Sequence, residues 1–126
     1  MPALVNAVRE LTSDNLVPSA VFSSTATATA VDISRYEGQV TVVINTGATS
    51  SFTSLVIQLQ SDNVTPGTYA NVGTALTITS AMLSAATTYF VPVDTNACSA
   101  NLRVVNTLTG TSIGLSETIV GFPKVQ

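Results

Sequence analysis

The sequence predicts an all-β protein: a single antiparallel β-sandwich, jelly-roll or immunoglobulin-like, of about seven strands. Apolar and polar residues alternate in several segments of strand length, and turn-forming residues separate these segments. Thr and Val are abundant whereas only 9% of residues are charged, and branched side chains favour a pleated sheet over a helix. A chain of 126 residues suits one domain. We therefore expect a sandwich over residues 20–126, preceded by an N-terminal arm over residues 1–19.

The N-terminal half contains three predicted strands. Residues 21–31, VFSSTATATAV, alternate strictly. QVTVVIN and SLVIQLQS each place apolar residues on one face, and the polar residues 47–51 lie between them. Two such strands joined by a short polar loop predict a β-hairpin. The apolar positions are Val40, Val42 and Ile44 in the first strand and Leu55, Ile57 and Leu59 in the second.

The C-terminal half has more irregular patterning. Pro66 and Gly67 suit the centre of a type II turn, and SAMLSAAT, residues 80–87, suits a single helical turn. TYFVPV is a predicted edge strand because Pro92 has no N–H to donate to a ladder. LRVVNTL and IGLSETIVGF are predicted as the last two strands, joined by TGTS at residues 109–112.

The first nineteen residues differ from the rest. Leu4, Val5, Val8 and Leu11 have helix-compatible spacing, and Pro18 ends the pattern. The apolar face is too small to fold alone, so this arm either covers an edge of its own sandwich, docks on another subunit or frays as a terminus. Leu4, Val8 and Leu11 are candidate partner contacts.

Charge and composition exclude several functions. A net charge of -3 with four Lys and Arg residues leaves no basic patch for nucleic acid. The sequence lacks the apolar run of a signal peptide or a membrane span, so we expect a protein made in the cytoplasm that does not enter a membrane. It contains no His and a single Cys, Cys98, and its acidic residues sit mostly at predicted turns. We therefore expect no catalytic residues, no cofactor and no metal.

Three segments carry a resemblance to a known family. VDISRYEGQVTVVINTG, LVIQLQSDN and YFVPVDTNACSANLRVVNTLTGTS, within residues 31–113, resemble in the same order small structural proteins of tailed bacteriophages, regarded as capsid decoration or cement proteins. The resemblance implies a non-enzymatic virion protein, made in the host cytoplasm, that binds the major capsid protein on the capsid exterior. A tail or fibre-associated module with the same sandwich is the alternative. A carbohydrate-binding module is less favoured because the sequence has no Trp for an aromatic platform.

Low charge also bears on assembly. A mean hydropathy of +0.44 with few charges gives the strand edges little electrostatic protection against pairing. A symmetric homo-oligomer hides such edges, and we expect a trimer rather than a dimer because it suits the local symmetry axes of a capsid.

The charged residues around Tyr36 are interpreted as a structural corner. Asp32 and Asp94 are suited to accept backbone N–H groups in their turns, and Gly38 permits a positive φ. The Tyr36 ring is expected to pack against the sandwich end with its hydroxyl outward. The neighbouring Arg35 and Glu37 are further candidate partner contacts.

Overall fold

The structure, a computed structural model, describes residues 12–34, 36–62, 68–84, 87–98 and 100–123. In these ranges the protein is a single antiparallel sheet of eight strands, and the predicted all-β class is confirmed. Two short 3-10 turns, Met82–Ser84 and Thr95–Ala97, are the only helical segments of the described residues, and neither is long enough to cross a membrane. The strands are β1 (Thr12–Phe22), β2 (Ala26–Thr27), β3 (Val31–Asp32), β4 (Tyr36–Asp62), β5 (Tyr69–Asn71), β6 (Leu76–Thr79), β7 (Thr88–Asp94) and β8 (Asn101–Pro123).

Two long strands, β4 and β8, pair with each other along most of their lengths. In β4 the buried positions are even-numbered up to Ile44 and odd-numbered from Leu55 to Ser61. β8 changes in the same way, and the residues between its two buried runs, 107–112, are mostly exposed. Since successive side chains of a strand point to opposite faces, this change means that the ribbon turns over in its middle.

A hydrogen bond shows how far the ribbon folds back. Asn106 and Glu117 are 11 residues apart on β8, yet Asn106 Nδ2 donates to Glu117 Oε2 over 2.8 Å. In a straight strand these residues would be about 36 Å apart. The two halves of β8 therefore face each other, and the sheet folds into two layers around one core.

The bend depends on a glycine. Gly110 has a φ of 122° and pairs with Phe52, whose preceding residue Ser51 has a φ of 46°. A Cβ at Gly110 would lie 2.5 Å from the Ser51 carbonyl oxygen, so a larger residue would displace the backbone of β4. Register shifts between Thr46 and Thr49 and between Phe52 and Ser54 accommodate the rest of the bend.

We call the two parts of the sheet layer I and layer II. Layer I comprises β1, the second half of β8, the first half of β4, and β7, paired in that order. Layer II comprises β2 and β3, the first half of β8, and the second half of β4 with β5 and β6. The core between them includes Tyr36, Val40, Val42, Ile44, Leu55, Ile57, Leu59, Leu102, Val104, Ile113, Leu115 and Ile119.

Two predicted chain reversals are wrong. Residues 47–51 do not close a hairpin, because β4 runs continuously from Tyr36 to Asp62, and residues 109–112 are continuous within β8. The predicted strands on either side of each polar stretch belong to one continuous strand, and both halves pair with the same partner. The polar residues mark the bend of the ribbon rather than a loop.

The N-terminal boundary also lies elsewhere than expected. β1 begins at Thr12 and pairs with β8, so residues 12–19 belong to the sheet rather than to an arm. Pro18 lies within a register shift of that pairing, where a missing N–H is tolerated. Leu4, Val5, Val8 and Leu11 lie outside the described residues.

Candidate functional site

The corner predicted around Tyr36 is formed where β7 ends and β4 begins. Gln39 pairs with Asp94, and the Thr95 hydroxyl donates to the Gly38 carbonyl oxygen over 2.5 Å. The turn before β4 and the turn after β7 therefore adjoin, and the four predicted turn residues lie at or next to these two turns, with Asp32 at the end of β3 in layer II. These residues are Asp32, Tyr36, Gly38 and Asp94.

Both aspartates of the corner hold their own turns. Asp32 Oδ1 accepts the backbone N–H of Ser34 over 2.9 Å and its hydroxyl over 2.7 Å. Asp94 Oδ1 accepts the backbone N–H of Asn96 over 2.9 Å and caps the 3-10 turn that follows. Each carboxylate thus accepts a hydrogen bond from a backbone N–H group that has no partner within the sheet.

Tyr36 ties the corner to the other edge of layer I. Its side chain is 1% exposed, and its hydroxyl donates to Asp14 Oδ2 of β1 over 2.7 Å instead of pointing outward. Sequence reasoning did not single out Asp14, because its 22-residue separation from Tyr36 leaves no local signal. Gly38, with a φ of +69°, supplies the left-handed residue between the corner and the regular part of β4.

A polar cleft of about 390 Å³ opens between the two turns. The Cys98 thiol is half-buried and donates to the Asp94 carbonyl oxygen over 3.6 Å. Burial raises the pKa of the thiol, so it stays in the unreactive protonated form. The described residues contain no group of three His, Cys, Asp or Glu side chains placed to hold a metal ion. The cleft is lined by Ile33, Ser34, Tyr36, Glu37, Gly38, Thr95, Asn96 and Cys98.

Of the predicted charged contacts, Glu37 is exposed beside this cleft, whereas Arg35 lies outside the described residues. Glu37 pairs in register with Phe122 of β8, and Phe122 is 42% exposed. The corner therefore continues into an exposed apolar surface.

This surface is the outward side of layer I, and sequence reasoning missed it. Val43 pairs with both Phe90 and Thr118, and Thr41 pairs with both Pro92 and Val120, so these side chains share one side of the sheet. Phe90 is 66% exposed. The signal was present in TYFVPV, whose alternation turns Tyr89, Val91 and Val93 inward and leaves Phe90 outward. We call the set Val43, Phe90, Pro92, Val120 and Phe122 the apolar face.

The outward side of layer II is polar by comparison. The Arg103 guanidinium lies 3.8 Å from the centre of the Tyr69 ring, and its Nε donates to Gln60 Oε1 over 3.0 Å. One face of the Tyr69 ring is therefore already covered and does not form an open stacking platform.

Asp62, the last residue of β4, joins that strand to the start of β8. Its Oδ1 accepts the backbone N–H groups of Ala100 and Asn101 over 3.1 and 3.0 Å, and its Oδ2 accepts Asn101 Nδ2 over 2.8 Å. The hydrogen bond from the Asn101 backbone, followed by the one from its side chain, lowers the pKa of Asp62. This carboxylate is a structural anchor that the turn-rich composition did not distinguish from the other acids.

Comparison with known proteins finds similarity to solved structures alone. No family model and no curated protein sequence matches it. Among solved structures, the SPBc2 prophage-derived protein YomS matches with a TM-score of 0.59 and 16% identity, over 89% of this chain and 94% of that one.

Two further structures share the fold. A carbohydrate-binding module specific for non-crystalline cellulose, CBM28, gives a TM-score of 0.53 at 15% identity, over 90% of this chain and 73% of the module. A chain in the structure of infectious bursal disease virus, Gx strain, gives 0.50 at 13% identity, over 90% of this chain and 33% of the viral one. At these identities the three likenesses establish the fold alone.

Proposed function

We propose that this protein is a structural component of a tailed-phage virion that decorates the assembled capsid shell by binding the major capsid protein. The observation that carries the proposal is the match to YomS, which extends over 94% of that prophage-derived protein and 89% of this chain. The resemblance of residues 31–113 to phage decoration proteins supports it independently, and a virus structure also contains this fold. No catalytic step or cofactor forms part of the proposed role.

The apolar face is the proposed contact surface for the shell. Phe90 and Phe122 expose 66% and 42% of their surface, and large exposed apolar groups with few charges nearby favour protein contacts. Glu37 lies at the border of this face. Arg35, two residues before it in the sequence, remains a candidate contact. Leu4, Val8 and Leu11 remain candidate contacts of the N-terminal segment.

Self-association is a second part of the proposal. β1 and β7 are the outer strands of layer I in the described sheet, and their pairing with neighbouring copies would cover backbone groups that the monomer leaves open. We propose a trimer in preference to a dimer, placed on the capsid exterior, where several modest contacts act together.

The decisive experiment mixes the purified protein with empty heads and, separately, with isolated tails of the phage that encodes it, and measures co-sedimentation. We expect saturable binding to heads and none to tails. Binding to tails alone would replace the proposal with the tail or fibre-associated role, and binding to neither would reject both.

Variants locate the surface in the same assay. We expect Phe90→Asp to weaken head binding at least tenfold while leaving the melting temperature nearly unchanged, because Phe90 is exposed in the monomer. Thr107→Asp is the matched control, since Thr107 is an exposed β8 residue of layer II. Equal loss in both variants would show that added charge alone, and not the apolar face, governs binding.

A deletion tests the N-terminal segment. Because the described part of β1 begins at Thr12, the truncation removes residues 1–11 and keeps every described strand. We expect a folded β protein that binds heads more weakly. A truncated protein that does not fold, or that binds heads as the full chain does, would contradict this role for Leu4, Val8 and Leu11.

A further inference from the structure

Asn106 and Glu117 form a buried polar contact between the two layers. Asn106 is 1% exposed and Glu117 is 0% exposed. One hydrogen bond joins them, from Asn106 Nδ2 to Glu117 Oε2 over 2.8 Å. The two remaining polar atoms, Asn106 Oδ1 and Glu117 Oε1, are buried and have no hydrogen-bond partner.

The chemistry of these two atoms is informative. An amide oxygen and an ionised carboxylate oxygen are both acceptors, so they cannot satisfy each other. A protonated carboxyl has one O–H donor and one carbonyl acceptor, which complement the acceptor and donor of an amide. A proton on Oε1 therefore supplies the donor that Asn106 Oδ1 lacks.

We propose that Glu117 is held as a neutral carboxylic acid whose Oε1–H donates to Asn106 Oδ1, so that two parallel hydrogen bonds form a proton-dependent clasp between layer I and layer II. Loss of the proton removes one of the two bonds and leaves a charge between the layers. The contact between the two layers therefore becomes weaker as the pH rises.

The surroundings of Glu117 favour the neutral form. Its register partners are Val17 of β1 and Ile44 of β4, both buried and apolar. Asp14, the acid of β1, is engaged with the Tyr36 hydroxyl, and Glu37 and Asp94, the acids of β4 and β7 in layer I, are exposed at the corner. Arg103, the one Lys or Arg in the described ranges, lies over the Tyr69 ring on the outward side of layer II.

Burial is the main cause that raises the pKa of Glu117, from 4.5 to about 7, and the hydrogen bond from Asn106 opposes it. The acid is thus protonated in the folded protein at a pH where it is ionised in the unfolded chain. The stability that it contributes is complete below about pH 4.5, declines between pH 4.5 and 7, and changes no further above that range. Over this window the folding equilibrium constant falls on the order of a hundredfold.

Glu117→Gln tests the clasp, because a Gln amide keeps a donor and an acceptor without a titrating proton. Urea midpoints are measured from pH 4.5 to 8 for the wild type, for Glu117→Gln and for the exposed control Glu37→Gln. We expect the variant to match the wild type near pH 5 and to exceed it at pH 8, with the control following the wild type. A variant that does not fold, or a difference between wild type and variant that is constant with pH, would overturn the proposal.

A direct measurement needs no change to Glu117. The carboxyl carbon of Glu117 and the side-chain amide of Asn106 are titrated by NMR in the wild-type protein. We expect the carboxyl carbon to titrate with a midpoint well above 4.5 and the Asn106 amide signals to shift with the same midpoint, because the Oε1–H bond to Asn106 Oδ1 is present only in the neutral form. A carboxyl midpoint at or below 4.5, or Asn106 amide signals that do not follow it, would show that the clasp does not exist.

Discussion

Asp62 and Glu117 are the two buried acids of the described residues, and their surroundings differ sharply. Asp62 lies at the end of β4, where two backbone N–H groups and one side-chain amide donate to it. Glu117 lies between the layers, where one amide donates to it. The pKa of Asp62 is lowered, whereas that of Glu117 is raised to about 7.

The difference shows that hydrogen-bond donors and desolvation act on a carboxyl in opposite directions. At Asp62 the hydrogen bonds from Asn101 are the largest causes of the pKa shift, and the ionised form is favoured. At Glu117 desolvation is the largest cause, and a single donor does not offset it. The two acids therefore stabilise the protein in opposite pH ranges, and substitutions can separate their effects.

The largest effect is expected at Asp62. Replacing it with Ala leaves the N–H groups of Ala100 and Asn101 without their acceptor and detaches the start of β8 from the end of β4. Because the folded pKa is lowered, the stability from Asp62 is present above the ordinary pKa of 3.8 and is lost as the pH falls through the folded value. Urea midpoints measured at decreasing pH should fall less in Asp62→Ala than in the wild type.

Asp32→Ala is the control for that experiment, because Asp32 is an exposed acid that accepts the backbone N–H of Ser34 within its own turn. We expect it to lower the melting temperature less than Asp62→Ala does. Equal losses would mean that the donors around Asp62 contribute no more than those of an ordinary turn.

The next effect concerns Asn106. Asn106→Leu leaves the Glu117 carboxyl without its partner, and we expect a loss of about 2 kcal/mol in unfolding free energy at pH 5. The double variant Asn106→Leu with Glu117→Met removes both polar groups and should recover to within about 1 kcal/mol of the wild type. Urea denaturation measures all three. A double variant less stable than the single one would show that the polar pair stabilises the core outright.

A smaller effect is expected from Tyr36→Phe, which removes the hydroxyl that donates to Asp14. The ring stays buried, so we expect a loss of about 1 kcal/mol. A double-mutant cycle with Asp14→Ala measures the coupling. A coupling near zero would show that the tie between β1 and β4 depends on the strands rather than on this bond.

The smallest effect is expected from Arg103→Gln, next to β5 on the outward side of layer II. Its contacts with Tyr69 and Gln60 are partly exposed, so urea denaturation should show a loss of about 0.5 kcal/mol. If Arg103→Gln lost more unfolding free energy than Tyr36→Phe, partly exposed polar contacts would stabilise this end of the sheet at least as strongly as buried ones do.

Much of the local structure was predictable because it depends on short-range chemistry. Alternation identified the inward faces of both halves of β4, with Val42 and Leu55 buried as expected. Pro92 indicated an edge, and β7 has one partner strand in the described sheet. Asp32 and Asp94 lie in turns where residues two positions ahead donate to them, so a few sequence letters contained both donor and acceptor.

The sequence by itself determined the all-β class, the inward faces of both halves of β4 and the turns at the corner, because a period of two and a local hydrogen bond are properties of neighbouring residues. The continuity of β4 and β8 was decided by the tertiary structure. At each bend the buried residues switch from even-numbered to odd-numbered positions across a polar stretch, and in the sequence such a stretch looks the same as a loop between two strands. The distance between Asn106 and Glu117 was decided there too. Alternation states which way a side chain points, but not which residue faces it across the core.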